Sequence, residues 1–211
     1  MDKALYVAMT GARASLQAQG TLSHNLANSD TPGFKEALAN TEAFPIRGPG
    51  FASRVDALHV DAGFNRTAGA QHITGKPLDL ALQTGTWLAV QSTDGSEAYT
   101  RGAALSVTPN GQLVTSSGRP VLDDNNNPIA IPPYQAMEIG NDGTISIIPQ
   151  GEGPQTMAMI GRIKVVQAPD DRLERGLDGL FRNTDPLQPF AQAQGTAVHS
   201  GQLEGSNVDA A

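Results

Sequence analysis

Residues 22–34 read LSHNLANSDTPGF. Leu22 and Leu26 stand four apart, as on one face of a helix, and the pattern then halts at Asn28, Asp30, Pro32 and Gly33. Proline cannot continue a helix, and Asn and Gly readily take the left-handed conformation that ends one. The stretch therefore predicts a helix stop, with Asn28 as a left-handed cap and Thr31-Pro32-Gly33-Phe34 as a type II turn. What that helix covers decides the reading of the whole chain.

Upstream, Leu5, Met9, Ala12, Leu16 and Leu26 recur in steps of four and three, with Gln19 and Ser23 in the same register and Val7 and Leu22 to either side. This is an apolar seam of heptad type. Gly11 and Gly20 weaken the helix by about 1 kcal/mol each relative to Ala. A lone helix of this length is marginal in water and needs a partner surface.

Downstream the pattern changes twice. Residues 36–75 are broken by Pro45, Gly48, Pro49, Gly50, Gly63 and Gly69 and read as an extended connector with one short hairpin. From 76 to 185, short apolar runs alternate with turn dipeptides. The expected strands are 78–83, 86–91, 98–102, 103–107, 112–116, 128–132, 137–140, 144–149 and 161–169, with Asp94-Gly95, Asn110-Gly111, Ser117-Gly118 and Asp142-Gly143 turning between them. That spacing predicts a small antiparallel all-β domain. Residues 186–211 are polar and Gly/Gln-rich, with no strong period, and are expected to be poorly ordered. The fold class is thus mainly β, with a long amino-terminal helix and its closing turn (1–35) on an extended connector.

Composition agrees: 39% of the 211 residues are hydrophobic and 5% aromatic, while 23 Gly and 14 Pro favour a turn-rich β domain over a large continuous core. The net charge is -7, and the 14 Lys and Arg are scattered singly. Nucleic acid needs basic residues gathered on one face, so it is not an expected partner. The chain has no cysteine, which excludes disulfides, thiolate metal sites and a cysteine nucleophile. The apolar run from Ala4 to Met9 is shorter than a secretory core, and no run approaches a membrane span.

Catalytic constellations are hard to assemble. His24, His59, His72 and His199 are solitary, without metal-ligand spacing, and no GxSxG nucleophile elbow occurs. The carboxylate pairs Asp123-Asp124 and Asp170-Asp171 sit beside turn residues. DDNNNP at 123–128 copies the first ligands of a calcium loop, but Pro128 stands where Gly belongs and Tyr134 where Glu belongs. A polar hairpin turn is the better reading. Trp87 could form a sugar-binding platform, but core packing, with Tyr99 as cross-strand partner, is favoured. No catalytic residue, cofactor or metal is expected.

Asn25-Leu26-Ala27-Asn28, then Thr31, then Gly33-Phe34-Lys35, resembles the amino-terminal signature of the flagellar rod and hook protein family, with His24 where the family has its first Asn. TGKPLDLAL (74–82), DGSEAYTR (94–101), PNGQLVTSSGRPVL (109–122), PIAIPP (128–133) and NDGTIS (141–146) are similar to successive parts of that family's β domain. GQLEGSNV (201–208) resembles its carboxy-terminal G-x-L-E-x-SNV segment. Trp87 in TWLAVQ and the compact β domain point within the family to a proximal rod member, with a distal rod member second. Thr86 departs from an expected Gly.

The resemblance implies a structural subunit of the flagellar rod, exported without a cleaved signal and located in the basal body. It would assemble with copies of itself and with other rod proteins through Leu5, Met9, Ala12, Leu16, Leu22 and Leu26, forming a helical tube that transmits torque. It also implies a long carboxy-terminal helix after the SNV segment, which pairs with the amino-terminal helix and shares with other subunits the covering of its seam. The sequence stops three residues past Val208, so a truncated chain or a missing helix is expected. The alternative reading is a secreted β-domain module that binds carbohydrate or a surface.

Overall fold

A computed structural model of the protein describes residues 4–45, 55–153 and 156–209. Helix α1 spans Ala4–Ala27. It lies on an antiparallel hairpin of β1 (Ala37–Pro45) and β2 (Val55–Phe64), whose register runs from Ala37 opposite Phe64 to Pro45 opposite Val55. The connector thus contains a far longer hairpin than its glycines and prolines suggest. Pro45 ends β1 and Gly63, at φ 82°, is taken into β2, while Gly48, Pro49 and Gly50 lie outside the described residues.

The β domain follows as β3 (Gln71–Ile73), β4 (Leu80–Leu82), β5 (Thr86–Gln91), β6 (Glu97–Thr100), β7 (Leu105–Val107), β8 (Leu113–Thr115), β9 (Tyr134–Ile139), β10 (Thr144–Pro149), β11 (Ala158–Arg162), β12 (Val165–Gln167), β13 (Leu173–Arg175) and β14 (Phe181–Asn183). A six-stranded sheet runs β13-β14-β6-β5-β12-β15, its last strand being Ala191–Gln192, a three-stranded sheet runs β11-β10-β9, and β7 pairs with β8. All these pairings are antiparallel. At the four expected turn dipeptides the glycine has positive φ, the conformation that tight hairpins demand.

Three expectations change. The stretch 161–169 divides: β11 joins the three-stranded sheet and β12 the six-stranded one, so a single apolar run crosses between sheets at Ile163. The stretch 128–132 is held by isolated bridges from Pro128 to Leu122 and from Ala130 to Gln112, because its prolines lack the N–H that a ladder requires. Within 186–209, the described part of the stretch expected to be poorly ordered, lie β15 (Ala191–Gln192), β16 (Val198–Ser200) and β17 (Gln202–Glu204), pairing with β12, β4 and β3. Their order comes from partners distant in sequence, which local composition does not register.

The main core is aliphatic, with Leu80, Leu88, Leu113, Val121, Ile145 and Val198 almost fully buried. A second cluster is aromatic. Trp87, only 2% exposed, meets Phe64 edge-on at 6.1 Å and lies 4.6 Å from Phe181, while Tyr99 meets Phe190 at 5.2 Å. Tyr99 stands opposite Ala89, and Trp87 opposite Val166, so the two aromatics share a cluster without facing each other. Buried here, Trp87 offers no surface platform.

DDNNNP forms a turn. The Asp123 carboxylate accepts the backbone N–H of Asn125 (2.9 Å) and Asn127 (2.7 Å), and Asn126 takes φ 64°. Asn28, by contrast, is not left-handed: among the described residues Asn126 alone of the non-glycines has positive φ. Helix α1 ends instead on a tightened turn, with Asn28 N–H bonded to the Asn25 carbonyl and the Asn28 side-chain amide donating to the His24 carbonyl at 2.9 Å.

Candidate functional site

Helix α1 has two unlike faces. The face toward the hairpin is built from Val7, Thr10, Ala14, Thr21 and Asn25, small or polar residues at helical spacing. Their size lets the helix axis lie close to the strands. Thr10 donates to the Asp56 carboxylate at 3.2 Å, and Asn25 exchanges two hydrogen bonds of 2.9 Å with the backbone of Ala37, fixing the start of β1.

The opposite face carries the seam. Leu5, Met9, Leu16, Leu22 and Leu26 are 59–68% exposed, and Ala12 between them is exposed. Tyr6, 68% exposed, extends the seam at one side and was not legible from the heptad steps. Five large apolar side chains exposed along the outer side of a single helix are of the kind that marks a docking surface.

The signature residues gather where the helix hands over to the β domain. The Thr31–Phe34 turn closes through Phe34 N–H to the Thr31 carbonyl at 3.1 Å, with Gly33 at φ 68°, as a type II turn requires. A Cβ on Gly33 would come within 2.2 Å of the Arg101 carbonyl carbon, so this backbone crossing admits no side chain. Phe34 is buried under the Arg175 guanidinium, 4.5 Å from its ring centre, and against the His24 ring. Arg175 also donates to the Lys35 carbonyl and to His24 Nε2. Partial burial, and then the Arg175 charge, lower the His24 pKa, because a protonated ring would face the guanidinium. Ala27 and Leu26 stay exposed and take no part in the junction.

Lys35 reaches inward to Glu204 on β17, Nζ to Oε1 at 2.7 Å, and both side chains are almost fully buried. The same Oε1 accepts the Gly69 N–H at 3.0 Å. Oε2 accepts Arg101 Nε at 2.8 Å and also pairs with Nη2, while Nη1 donates to the carbonyls of Gln83 and Thr86 and Nη2 to that of Leu82. Burial pushes the Glu204 carboxyl up, but the Arg101 charge and the hydrogen bonds from Lys35, Gly69 and Arg101 outweigh it and hold the pKa below the ordinary value. Beyond Glu204, the Asn207 side chain accepts from Glu36 N–H at 2.7 Å and donates to the carbonyls of Asn65 and Thr67. The Lys35–Glu204–Arg101 node and the Asn207 clamp could not be read from the sequence, because their members lie far apart along the chain.

Among the described residues there is no group of three or more His, Asp or Glu arranged to hold a metal ion. His59 lies on β2, His72 on β3 and His199 on β16, remote from one another in the pairing scheme. The site is therefore an exposed apolar row on a helix that a buried polar junction ties to the β domain.

Residues 5–35 match the family model "Flagella basal body rod protein", and residues 81–147 match "Flagellar hook protein FlgE/F/G D1 domain". The chain is 43% identical to the flagellar basal-body rod protein FlgF of Escherichia coli K12, in a match covering 100% of this chain and 85% of that protein. It is 41% identical to FlgF of Salmonella typhimurium LT2, over 99% of this chain and 84% of that protein. Against FlgG of Buchnera aphidicola from Schizaphis graminum the identity is 30%, over 100% and 87%.

Proposed function

The chain belongs to the flagellar basal-body rod protein family, and we propose that its work is done by the seam of α1, as a structural subunit that packs this helix against other rod subunits in the basal body. The observation that carries the reading is the inversion of the helix. Its small residues face its own hairpin, and its large apolar residues face outward. Covering an exposed Leu or Met fully is worth roughly 1.5–3 kcal/mol. Covering Leu5, Met9, Leu16, Leu22 and Leu26 against a neighbouring subunit would therefore contribute substantially to assembly. A head-to-tail contact repeated with a screw rotation builds a helical tube, the form suited to a shaft that transmits torque.

Partners are copies of this chain and other rod proteins. The identities of 43% and 41% to the FlgF proteins of Escherichia coli and Salmonella typhimurium support a proximal position in the rod. No helix among the described residues is long and apolar enough to cross a membrane. Delivery through the flagellar export apparatus, without a cleaved signal, belongs to the same proposal. The arrangement suggests no chemical step, and we assign none.

The test is the double substitution Leu16→Asp with Leu26→Asp. It is expected to abolish rod assembly and swimming while leaving the thermal unfolding of the β domain unchanged. A lowered unfolding temperature of the β domain would mean that the seam packs within its own chain, contrary to this proposal.

A further inference from the structure

The arm made of α1 and the β1–β2 hairpin meets the β domain through two kinds of contact. One kind is apolar: Phe64 enters the aromatic cluster beside Trp87 and Phe181, and Arg175 covers Phe34. The other is polar and converges on the return segment 201–207. Glu204 takes Lys35 from the helix exit and Gly69 from beyond the hairpin on one oxygen, and Arg101 from the end of β6 on the other. Those contacts fill the roughly four acceptor positions of a carboxylate.

The backbone of the return segment repeats the pattern. The Glu204 carbonyl accepts Gly33 N–H at 2.8 Å, Gly205 N–H donates to the Ala70 carbonyl at 2.7 Å, and Asn207 N–H donates to the Phe34 carbonyl at 3.3 Å. Gly69 and Gly205 cross so closely that a Cβ on Gly69 would lie 2.1 Å from the Gly205 oxygen. Lys35 and Glu204 are 169 positions apart in the chain. Without the return segment, the N–H groups of Gly33 and Glu36 lack the acceptors they have in the fold, and Arg101 lacks its carboxylate.

We propose that residues 201–207 are a latch, closed by Glu204, that fixes the orientation of the arm. The apolar contacts attach the arm to the β domain, and the latch locks its angle. The seam of α1 is then presented in one geometry only after residues 201–207 are seated, which delays subunit docking until that segment has folded back onto the arm. That consequence rests on the seam reading, whereas the latch itself can be measured in the unassembled protein.

The measurement is amide hydrogen exchange, residue by residue, on the full chain carrying Glu204→Gln. This substitution keeps the size of the side chain and leaves the Glu204 backbone carbonyl available to Gly33. Exchange at Gly33 and Glu36 is expected to rise at least 10-fold, with Leu88 and Val90 of β5 unchanged. Unaltered exchange at Gly33 and Glu36, or an equal rise at β5, would overturn the latch.

Should that variant fail to fold, Asn207→Ala opens the clamp without disturbing the buried charges. It is expected to speed Glu36 several-fold, and no change there would equally overturn the proposal. Exchange in the Leu16→Asp, Leu26→Asp protein separates the two readings. A latch that fails leaves the seam test standing, and a seam that fails leaves the exchange pattern of the latch intact.

Discussion

Helix α1 and strand β5 use apolar residues in opposite ways. In TWLAVQ, Trp87, Leu88, Ala89 and Val90 are all buried, sheathed on both faces of the sheet by other parts of the same chain. In α1, residues of similar size stand in solvent, and the contacts to the hairpin are made by Val7, Thr10, Ala14 and Thr21. The β domain therefore holds its own free energy of folding, whereas in the proposed assembly much of the arm's stabilisation is deferred to a neighbour. A protein that must stay separate before assembly and become rigid afterward needs both arrangements.

The largest expected effect tests this contrast directly. Leu88→Ala opens a cavity in the core and is expected to destabilise the chain by about 2–5 kcal/mol, whereas Leu16→Ala, on the exposed seam, should change it by under about 0.5 kcal/mol. Urea unfolding of the two purified variants makes the comparison. Equal losses would erase the distinction between the regions.

A second prediction sits on the boundary between them. Gly33→Ala demands a left-handed backbone and places a methyl group against Arg101 and Gly102. A cost of about 1–3 kcal/mol is expected, the usual price of strain at such a position, felt at the junction before the β domain unfolds. Denaturant curves followed separately by Trp87 fluorescence and by helix ellipticity would show the junction failing first.

Acid should act on the same junction. The Glu204 pKa is lowered in the fold, so its contribution is fully present above the ordinary carboxyl value and is lost as pH falls through the lowered one. His24, also lowered, adds a milder loss that begins as pH drops below the ordinary histidine range. Stability measured from neutral to acid pH should therefore fall in two steps, and His24→Asn should remove the earlier one. The smallest effect is Gly20→Ala. A Cβ there meets nothing within 4 Å, so the helix should gain up to about 1 kcal/mol by propensity alone.

These contrasts also explain what the sequence made legible. Large residues at helical spacing announced the seam, and Asp-Gly and Asn-Gly dipeptides announced the hairpins, because both signals are local. The inward face of α1 was hidden, since Thr10, Ala14 and Asn25 carry almost no hydropathy and act through size and hydrogen bonding. Strands β15, β16 and β17 were hidden because each is short and ordered by a distant partner. Asn28 looked like a left-handed cap, but its side chain caps the His24 carbonyl directly and the backbone has no need to reverse. The signature from Asn25 to Lys35 was recognisable as a pattern, yet the reason for Lys35 lies at Glu204, beyond the reach of any local reading.

The central claim is that the α1 seam is open in the free chain and covered in the rod. The sequence contains no cysteine, so Leu16→Cys introduces a single thiol into the seam, and its reaction rate with a soluble maleimide reports access to that position. The account predicts rapid labelling of the free protein and at least 100-fold slower labelling in isolated basal bodies. Equal rates in the two states, or slow labelling already in the free protein, would contradict it.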